Sequence, residues 1–253
     1  MFADHLVAHR GYPARLPENT LPSIEAALLA GARYLEIDVQ LSQDEEVVLF
    51  HDRDLLRLCG QPGAVHDYPW QELQHFNVHG AHPVATTVPA AAISHLADVV
   101  TLLTSHPEVK LFVELKRVSL ETFGVEAMVQ RVLPLLRPIE NQTIVISYSL
   151  KALQHVRQVA NVPIGVVIDN WSDRDRPIVR KLKSDYLFCQ LASLPLQGEL
   201  VCEDCKLALF ECTDPKQALN LLQRGADLIE TFAIGEMLSA MTALGDAPES
   251  SRG

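Results

Sequence analysis

The fold is decided by one stretch, residues 34–52, which reads YLEIDVQL, SQDEE, VVLF and HD. Tyr34–Leu41 and Val47–Phe50 are rich in aliphatic and β-branched residues, which is typical of buried strands. Only Ser42–Glu46 separate them, and this is too short for the helical crossover that joins two parallel strands. We therefore predict that Val47–Phe50 folds back as an antiparallel arm on Tyr34–Leu41.

Outward from this stretch, short apolar runs alternate with segments of helical periodicity. The further predicted strands are Leu6–Ala8, Leu111–Leu115, Thr143–Ser147, Ile164–Ile168, Tyr186–Cys189, Leu207–Phe210 and Leu228–Thr231. Helical spacing of apolar residues begins at Ile24, Leu96, Leu150 and Ala218, and we expect Thr20 to cap the first helix. Without the arm, eight strands remain, so the sequence predicts an α/β protein with the (β/α)8 TIM barrel fold.

A chain of 253 residues has the ordinary size of one such barrel. We predict a single domain over residues 1–244, followed by a polar tail at 245–253. Between about 54 and 92 the alternation stops in a stretch rich in glycine and proline. We expect this insertion to cover a site, because structureless loops of such length are uncommon.

The charge balance limits the partners. Lysine and arginine number 21 against 32 acidic residues, a net charge of −11, which disfavours nucleic acids and anionic membranes. Any phosphate that the protein handles should be small. The sequence has no apolar run of membrane-spanning length and no basic, apolar leader, so we expect a cytoplasmic protein. The oligomeric state is left open.

The five cysteines form an odd number, which favours free thiols in a reducing compartment. Cys202 and Cys205, with Cys212 nearby, could be considered a zinc site. A second CxxC pair or a nearby histidine that would complete four ligands is missing from the sequence. We therefore expect these cysteines to be thiols in or near the core.

Polar residues stand at the ends of four predicted strands, where a barrel carries its active site. They are His9 and Arg10, Glu36 and Asp38, His51 and Asp52, and Glu114 and Lys116. The carboxylates of Glu36, Asp38 and Glu114 would repel one another unless a cation lay among them. Carboxylate oxygens select one hard divalent cation, Mg²⁺, Ca²⁺ or Mn²⁺.

The two histidines at these strand ends, His9 and His51, suit a general acid and base pair. Arg10 and Lys116 supply the positive charge that a phosphate oxygen requires. Glu18 and Asn19 could bind near the mouth, but we interpret them as part of the turn before the first helix.

These motifs, in this order, resemble the signature series of the glycerophosphodiester phosphodiesterases. The matching segments are His9–Gly11, Pro17–Thr20, Glu36–Val39, Val47–Asp52, Glu114–Lys116 and Ile146–Tyr148. The resemblance implies a TIM barrel that uses a divalent cation to hydrolyse glycerophosphodiesters to glycerol 3-phosphate and an alcohol. It implies His9 and His51 as general acid and base, Glu36, Asp38 and Glu114 as metal ligands, and Arg10 and Lys116 as phosphate contacts.

The second half departs from the family pattern. Phe210–Asp214 stands where the family usually has a Trp-Thr-x-Asn run, and Ile229–Ala233 where a Thr-Asp and a proline are common. These changes concern the pocket floor and therefore the exact substrate.

Two alternative functions remain open at this stage. The first is a lysophospholipase D-like activity, for which the insertion offers an apolar entrance of Tyr68, Trp70, Phe76 and Val78. The second is a catalytically silent barrel that binds a phosphorylated metabolite. We interpret His75, His79 and His82 of the insertion as solvated residues.

Overall fold

A computed structural model describes residues 2–80, 90–202 and 204–245. The strands are β1 (Leu6–His9), β2 (Tyr34–Leu41), β3 (Val47–Leu49), β4 (Asn77–Val78), β5 (Ala91–Ala92), β6 (Lys110–Leu115), β7 (Thr143–Ser147), β8 (Ile164–Ile168), β9 (Tyr186–Gln190), β10 (Lys206–Phe210) and β11 (Leu228–Thr231). Eight of them run parallel in the order β1, β2, β6, β7, β8, β9, β10 and β11, and β11 pairs with β1. The barrel is therefore closed, and the predicted (β/α)8 fold is confirmed.

Helices cover the outside of the barrel. They are α1 (Leu21–Leu29), α2 (Leu56–Cys59), α3 (Trp70–Leu73), α4 (Leu96–Leu103), α5 (Arg117–Phe123), α6 (Val125–Leu136), α7 (Leu150–Val159), α8 (Pro177–Leu182), α9 (Pro215–Gln223) and α10 (Ile234–Gly245). Short 3-10 helices lie at Phe2–Asp4, Val65–Asp67, Arg137–Gln142, Trp171–Asp175 and Leu191–Ser193. Within the described residues, no helix combines the length and the apolar character needed to cross a membrane.

The predicted antiparallel arm is present as β3. Along one edge, β2 pairs first with β1 and then with β3. The first residues of β2 pair with β1, where His9 lies beside Glu36. Beyond the end of β1, the last residues of β2 pair with β3, from Val39 beside Leu49 to Leu41 beside Val47. Because β3 continues the edge that β1 leaves, the residues that follow both strands come to the same end of the barrel.

Side chains point alternately outward and inward along each barrel strand, and they form two separate cores. Outward-facing residues such as Leu35, Ile37 and Val39 join the main core between the barrel and its helices. Inward-facing residues fill the barrel itself, and Phe112 contacts both Tyr186 and Phe188 with ring centroids 5.0 Å apart. The barrel is thus solid below its mouth, and this plug forms the floor of the site.

The insertion has a small core of its own, packed on the outer face of the arm. Val48 and Phe50 from the arm join Leu55, Leu58, Val65, Leu73, Val78 and Ile93 in one buried cluster. Tyr68, Trp70 and Phe76 pack against this cluster, so the described aromatic residues of the insertion support its fold and do not line an apolar entrance. Residues 81–89, with His82, lie outside the described part of the chain, and His75 and His79 are exposed.

The crossover from β9 to β10 differs from the others, because its described residues contain no α-helix. Pro195 and Gly198 interrupt this segment, and the Arg224 guanidinium donates to the carbonyl oxygens of both. Cys202 and Cys205 form a disulfide here, so the expectation that these two cysteines are thiols is wrong. Cys59, Cys189 and Cys212 are free and buried, as expected.

The first helix starts where predicted, but its cap differs. Thr20 occupies the N-cap position without capping the helix, since its hydroxyl donates to the carbonyl of Pro17. The Leu21 N–H instead donates to the hydroxyl of Ser94. At the other end of the chain, α10 reaches Gly245 next to the predicted boundary, and the tail from residue 246 lies outside the described residues.

Gly11 is where the first strand must turn back toward α1. Its φ is +88°, and a Cβ there would lie 2.7 Å from the Ser23 hydroxyl oxygen and 2.8 Å from the Ser23 carbonyl carbon. We predict that Gly11→Ala lowers the free energy of unfolding by about 2–4 kcal/mol, from backbone strain and steric overlap together. The measurement is urea unfolding followed by circular dichroism.

Gly60→Ala is the matched control, because Gly60 also has a positive φ, +64°, but a Cβ added there would meet no atom of the described residues within 4 Å. It should cost only the strain, about 1–2 kcal/mol. Equal losses for the two variants would contradict the proposed close approach at Gly11.

Candidate active site

The predicted site residues come together at the carboxyl end of the barrel. His9 ends β1, Glu36 lies on β2, His51 follows the arm, and Glu114 lies on β6. With Arg10 and Lys116 they line one cavity of about 150 Å³. Asp38 lies beside them, and its carboxylate is reached from the cavity side by Lys116. The strand order therefore assembles all seven predicted residues in one place.

Glu36, Asp38 and Glu114 form the group suited to a cation. One oxygen from each carboxylate lies within 4.8 Å of the others. Burial, followed by the charges of the neighbouring carboxylates, raises the pKa of Glu36 well above its ordinary value. Burial also raises the pKa of Glu114. Crowded, buried oxygen donors of this kind fit a hard divalent cation, whose charge would offset their repulsion.

Asp38 is held more firmly than its two neighbours. Its Oδ1 lies 3.0 Å from the Lys116 ammonium, and its Oδ2 accepts from the Asn19 amide at 2.8 Å. Burial alone would raise the pKa of Asp38, but the charges of Lys116 and Arg10 hold it well below its ordinary range. Asp38 is thus the carboxylate that stays ionised.

Asn19 does more than the predicted turn. Its backbone has φ +54° and its N–H donates to the carbonyl of Arg10, as a turn residue does. Its side chain also bonds Asp38 twice, because its Oδ1 accepts from the Asp38 N–H at 3.0 Å. The interpretation of Asn19 as a turn residue alone was therefore incomplete.

His9 is enclosed on all sides. Its ring stacks on Phe232 at a centroid distance of 4.6 Å. Its Nε2 lies 3.7 Å from Glu36 Oε2 and 3.9 Å from Glu230 Oε2. Burial, and then the charge of Arg10, lowers the pKa of His9 well below its ordinary value. A neutral imidazole at this place is able to accept a proton.

His51 is more open and has a defined partner. Its Nδ1 lies 2.8 Å from Asp52 Oδ1. Asp52 in turn accepts from the Arg57 guanidinium, which also donates to Glu18 at 2.9 Å. Although burial opposes it, these bonds hold the pKa of Asp52 below its ordinary value. The carboxylate fixes which nitrogen of His51 faces the cavity.

Glu18 joins the two halves of the site. Its buried carboxylate accepts from Arg10 as well as from Arg57, both at 2.9 Å. A continuous chain of ion pairs therefore runs from Arg10 beside His9 to Asp52 beside His51. Glu18, His51 and Asp52 also bring ligand atoms within 4.8 Å of one another, but the two arginines already neutralise this group.

Three residues of the site were not identified in the sequence analysis. Phe232 and Arg57 lie in segments without a chemical motif, so only the fold reveals their contacts with His9 and Asp52. Glu230 did carry a signal, because it is an acidic residue at an inward position of an apolar strand. It is 2% exposed and lines the cavity.

A second, more open cavity of about 290 Å³ adjoins the first and shares His51, Glu114, Lys116 and Tyr148 with it. Arg53, Arg117, Val118 and Asp169 complete its lining. Asp169 accepts from Arg117 at 2.9 Å, and Arg117 lies over the Tyr148 ring. The site thus has a small inner chamber and a wider outer one.

Solved structures share this architecture. A structure from Silicibacter pomeroyi matches with a TM-score of 0.83 and 21% identity, covering 95% of this chain and 94% of that one. An Oleispira antarctica phosphodiesterase, solved in complex with the product sn-glycerol-3-phosphate, matches with a TM-score of 0.80 and 22% identity, covering 94% of this chain and 96% of its own. At such identities the likeness concerns the fold.

Sequence comparison adds the family. A glycerophosphodiester phosphodiesterase of Bacillus altitudinis is 34% identical over 125 residues, which are 49% of this chain. The match spans about half the length of that relative, 50%. The model of the glycerophosphoryl diester phosphodiesterase family matches residues 9–231, from the first site histidine to the end of β11. The chain therefore belongs to the glycerophosphoryl diester phosphodiesterase family.

Proposed function

We propose that this protein hydrolyses glycerophosphodiesters to sn-glycerol 3-phosphate and an alcohol. One observation carries the proposal: two histidines, two basic side chains and two of the three clustered carboxylates line the same cavity. They are His9, His51, Arg10, Lys116, Glu36 and Glu114. The family and the product complex of the Oleispira antarctica relative support it. We further propose that residues 1–244 act as one catalytic unit in the cytoplasm, without a nucleic-acid partner.

We propose that Glu36, Asp38 and Glu114 hold one divalent cation, Mg²⁺, Ca²⁺ or Mn²⁺. When bound, such an ion would polarise the phosphoryl group and offset the charge that develops on it. Lys116 is placed to share this task, because two of its three N–H donors suffice for Asp38 and Glu114. The third remains for a phosphate oxygen, and Arg10 reaches the same cavity.

Proton transfer falls to His9 and His51. One removes a proton from the attacking hydroxyl, of water or of the substrate's own glycerol, and the other protonates the departing alcohol. If the glycerol hydroxyl attacks, the first product is a cyclic glycerol phosphate, and a water must then open its ring to give glycerol 3-phosphate. The two imidazoles have different surroundings, since His9 is buried against Phe232 whereas His51 is paired with Asp52. These surroundings suit two different roles, as in other acid and base pairs.

A lysophospholipase D-like activity is less well supported. It would require an apolar path for an acyl chain, but the described aromatic residues of the insertion pack into its own core. The outer cavity is bordered by Arg53, Arg117 and Asp169, which are charged. A silent binding barrel is also less well supported, because every residue of the proposed acid, base and cation set is present.

We predict that His9→Ala and His51→Ala each lower turnover by about 10²–10⁴-fold, because each removes one proton-transfer step. The measurement is enzyme-coupled detection of glycerol 3-phosphate from a glycerophosphodiester, with circular dichroism to confirm folding. A nitrophenyl ester, whose leaving group needs no proton, should restore most activity only to the variant that lacks the general acid.

His79→Ala serves as the matched control, since His79 is exposed on the insertion. It should keep turnover within about twofold of the unaltered chain. Near-normal turnover in either His9→Ala or His51→Ala would refute the assignment of that histidine.

Cation binding should be visible without any activity measurement. We predict that Mg²⁺, Ca²⁺ or Mn²⁺ at 100 times its dissociation constant stabilises the chain by about 2.7 kcal/mol, because the ion binds only the folded state. Glu36→Gln should lose this stabilisation, and Glu25→Gln, on the exposed face of α1, should retain it. Thermal unfolding with each ion and with chelator measures the effect. Equal stabilisation of Glu36→Gln and the unaltered chain would contradict the proposed ligand set.

Arg57 is predicted to position His51 through Asp52. Arg57→Ala removes the bonds to Asp52 and Glu18, and we expect kcat to fall by about 10–100-fold with a smaller change in KM. Arg57→Lys should recover part of the loss. Arg33→Ala, which breaks an exposed ion pair with Asp4, is the control and should change kcat by less than about twofold. An equal effect of the two alanine variants would argue against positioning.

A further inference from the structure

Glu230 is a buried acid that the proposed reaction does not use. It lies on β11, the last barrel strand, and its side chain lines the inner cavity. Its Oε1 is buried and has no hydrogen-bond partner among the described residues. Its Oε2 lies 3.9 Å from His9 Nε2.

The Glu230 carboxyl group therefore lacks a hydrogen bond that would offset the free-energy cost of its burial. Buried polar atoms in folded proteins almost always have a partner, and leaving one without a partner costs free energy. A carboxyl group that lines a cavity can obtain its partner from a ligand.

Both basic side chains of the inner cavity lie on one side. This side, from β1 to β6, carries the guanidinium of Arg10 and the ammonium of Lys116 together with the carboxylates proposed to hold the cation. The opposite side comes from the ends of β9, β10 and β11, and is lined by Phe188, Gln190, Phe210, Glu211 and Glu230. This second side contains two carboxyl groups and, among the described lining residues, neither lysine nor arginine.

This arrangement of side chains matches a ligand that carries both a negatively and a positively charged group. The phosphodiester anion suits the side with Arg10 and Lys116, where the proposed cation would also lie. A positive group on the same ligand suits the opposite side, where Glu230 supplies charge and Phe188 and Phe210 supply aromatic surface. The proposed metal ion would be bound by Glu36, Asp38 and Glu114 and not by Glu230. An ammonium group on the ligand would give the Glu230 carboxylate a positively charged partner.

We propose that Glu230, assisted by Glu211, forms a subsite for an ammonium group on the alcohol arm of the substrate. The preferred substrates are then zwitterionic glycerophosphodiesters. This inference rests on the proposed function. Glu211 is suited to the assisting role, because its carboxyl group belongs to an exposed residue that lines the same side of the cavity directly after β10.

The test compares two diesters of equal size, glycerophosphoethanolamine and its n-propyl counterpart, in which a methyl group replaces the ammonium. The ratio of their kcat/KM values is the readout. We expect the unaltered chain to prefer the ammonium diester by at least tenfold, and Glu230→Gln to lower this ratio by tenfold or more. Glu211→Gln, at the more exposed residue, should lower the ratio by about two- to fivefold.

Asp169→Asn is the matched control, because Asp169 lines the adjoining outer cavity. It should leave the ratio as it is. The proposal is overturned if Glu230→Gln lowers kcat/KM for both diesters equally, which is the result expected of a residue that only supports His9 or the cation. It is also overturned if Asp169→Asn changes the ratio and Glu230→Gln does not.

Failure of the underlying function gives a different result. If the unaltered chain hydrolyses neither diester with any of the three divalent cations, the proposed function is refuted and the subsite has no role in selecting substrates. Circular dichroism of Glu230→Gln confirms that a lost preference reflects the site and not the fold. Glu230→Asp, which keeps the charge, should retain a measurable part of the preference.

Discussion

Five carboxyl groups, those of Glu18, Glu36, Asp38, Glu114 and Glu230, are buried at one end of this barrel, and the basic side chains of Arg10 and Lys116 pair with three of them. Lys116 lies between Asp38 and Glu114 at 3.0 Å from each, and Arg10 reaches Asp38 and Glu18. Removing such charges from water costs several kcal/mol per ion unless partners compensate. Asp38 is well compensated, whereas Glu36 and Glu230 are not. The uncompensated carboxyl groups are the places where a bound cation and a substrate have most to contribute.

The barrel brings these groups together through a property of β2. This strand is eight residues long, and it pairs with β6 on one edge and with β1 and then β3 on the other. The same alternation that directs Leu35, Ile37 and Val39 to the outer core directs Glu36 and Asp38 to the interior. The residues that pair the strands and the carboxylates of the site therefore lie on the same stretch of sequence.

Most of the barrel was predictable, because its strands are short apolar runs with clear limits. All nine predicted strands are present, and the antiparallel arm followed from the five residues that separate it from β2. The four polar motifs were recognisable because each stands at a strand end. The disulfide was not predictable, since two cysteines three residues apart pair only if the backbone turns to bring them together, here with 5.6 Å between the Cα atoms. Arg57 was missed for a similar reason, because its partners come from separate segments of the chain.

The role of the insertion also required the structure. A loop of its length suggested a cover over the site, yet its described residues pack outward on the arm around Val48 and Phe50. Among its described residues, Arg57 on α2 connects the insertion to the site, because Arg57 bonds both Glu18 and Asp52. Glu18 belongs to the turn after His9, and Asp52 directly follows His51. Leu58, next to Arg57, belongs to the small core of the insertion, so packing outside the barrel places an arginine between the two histidine motifs.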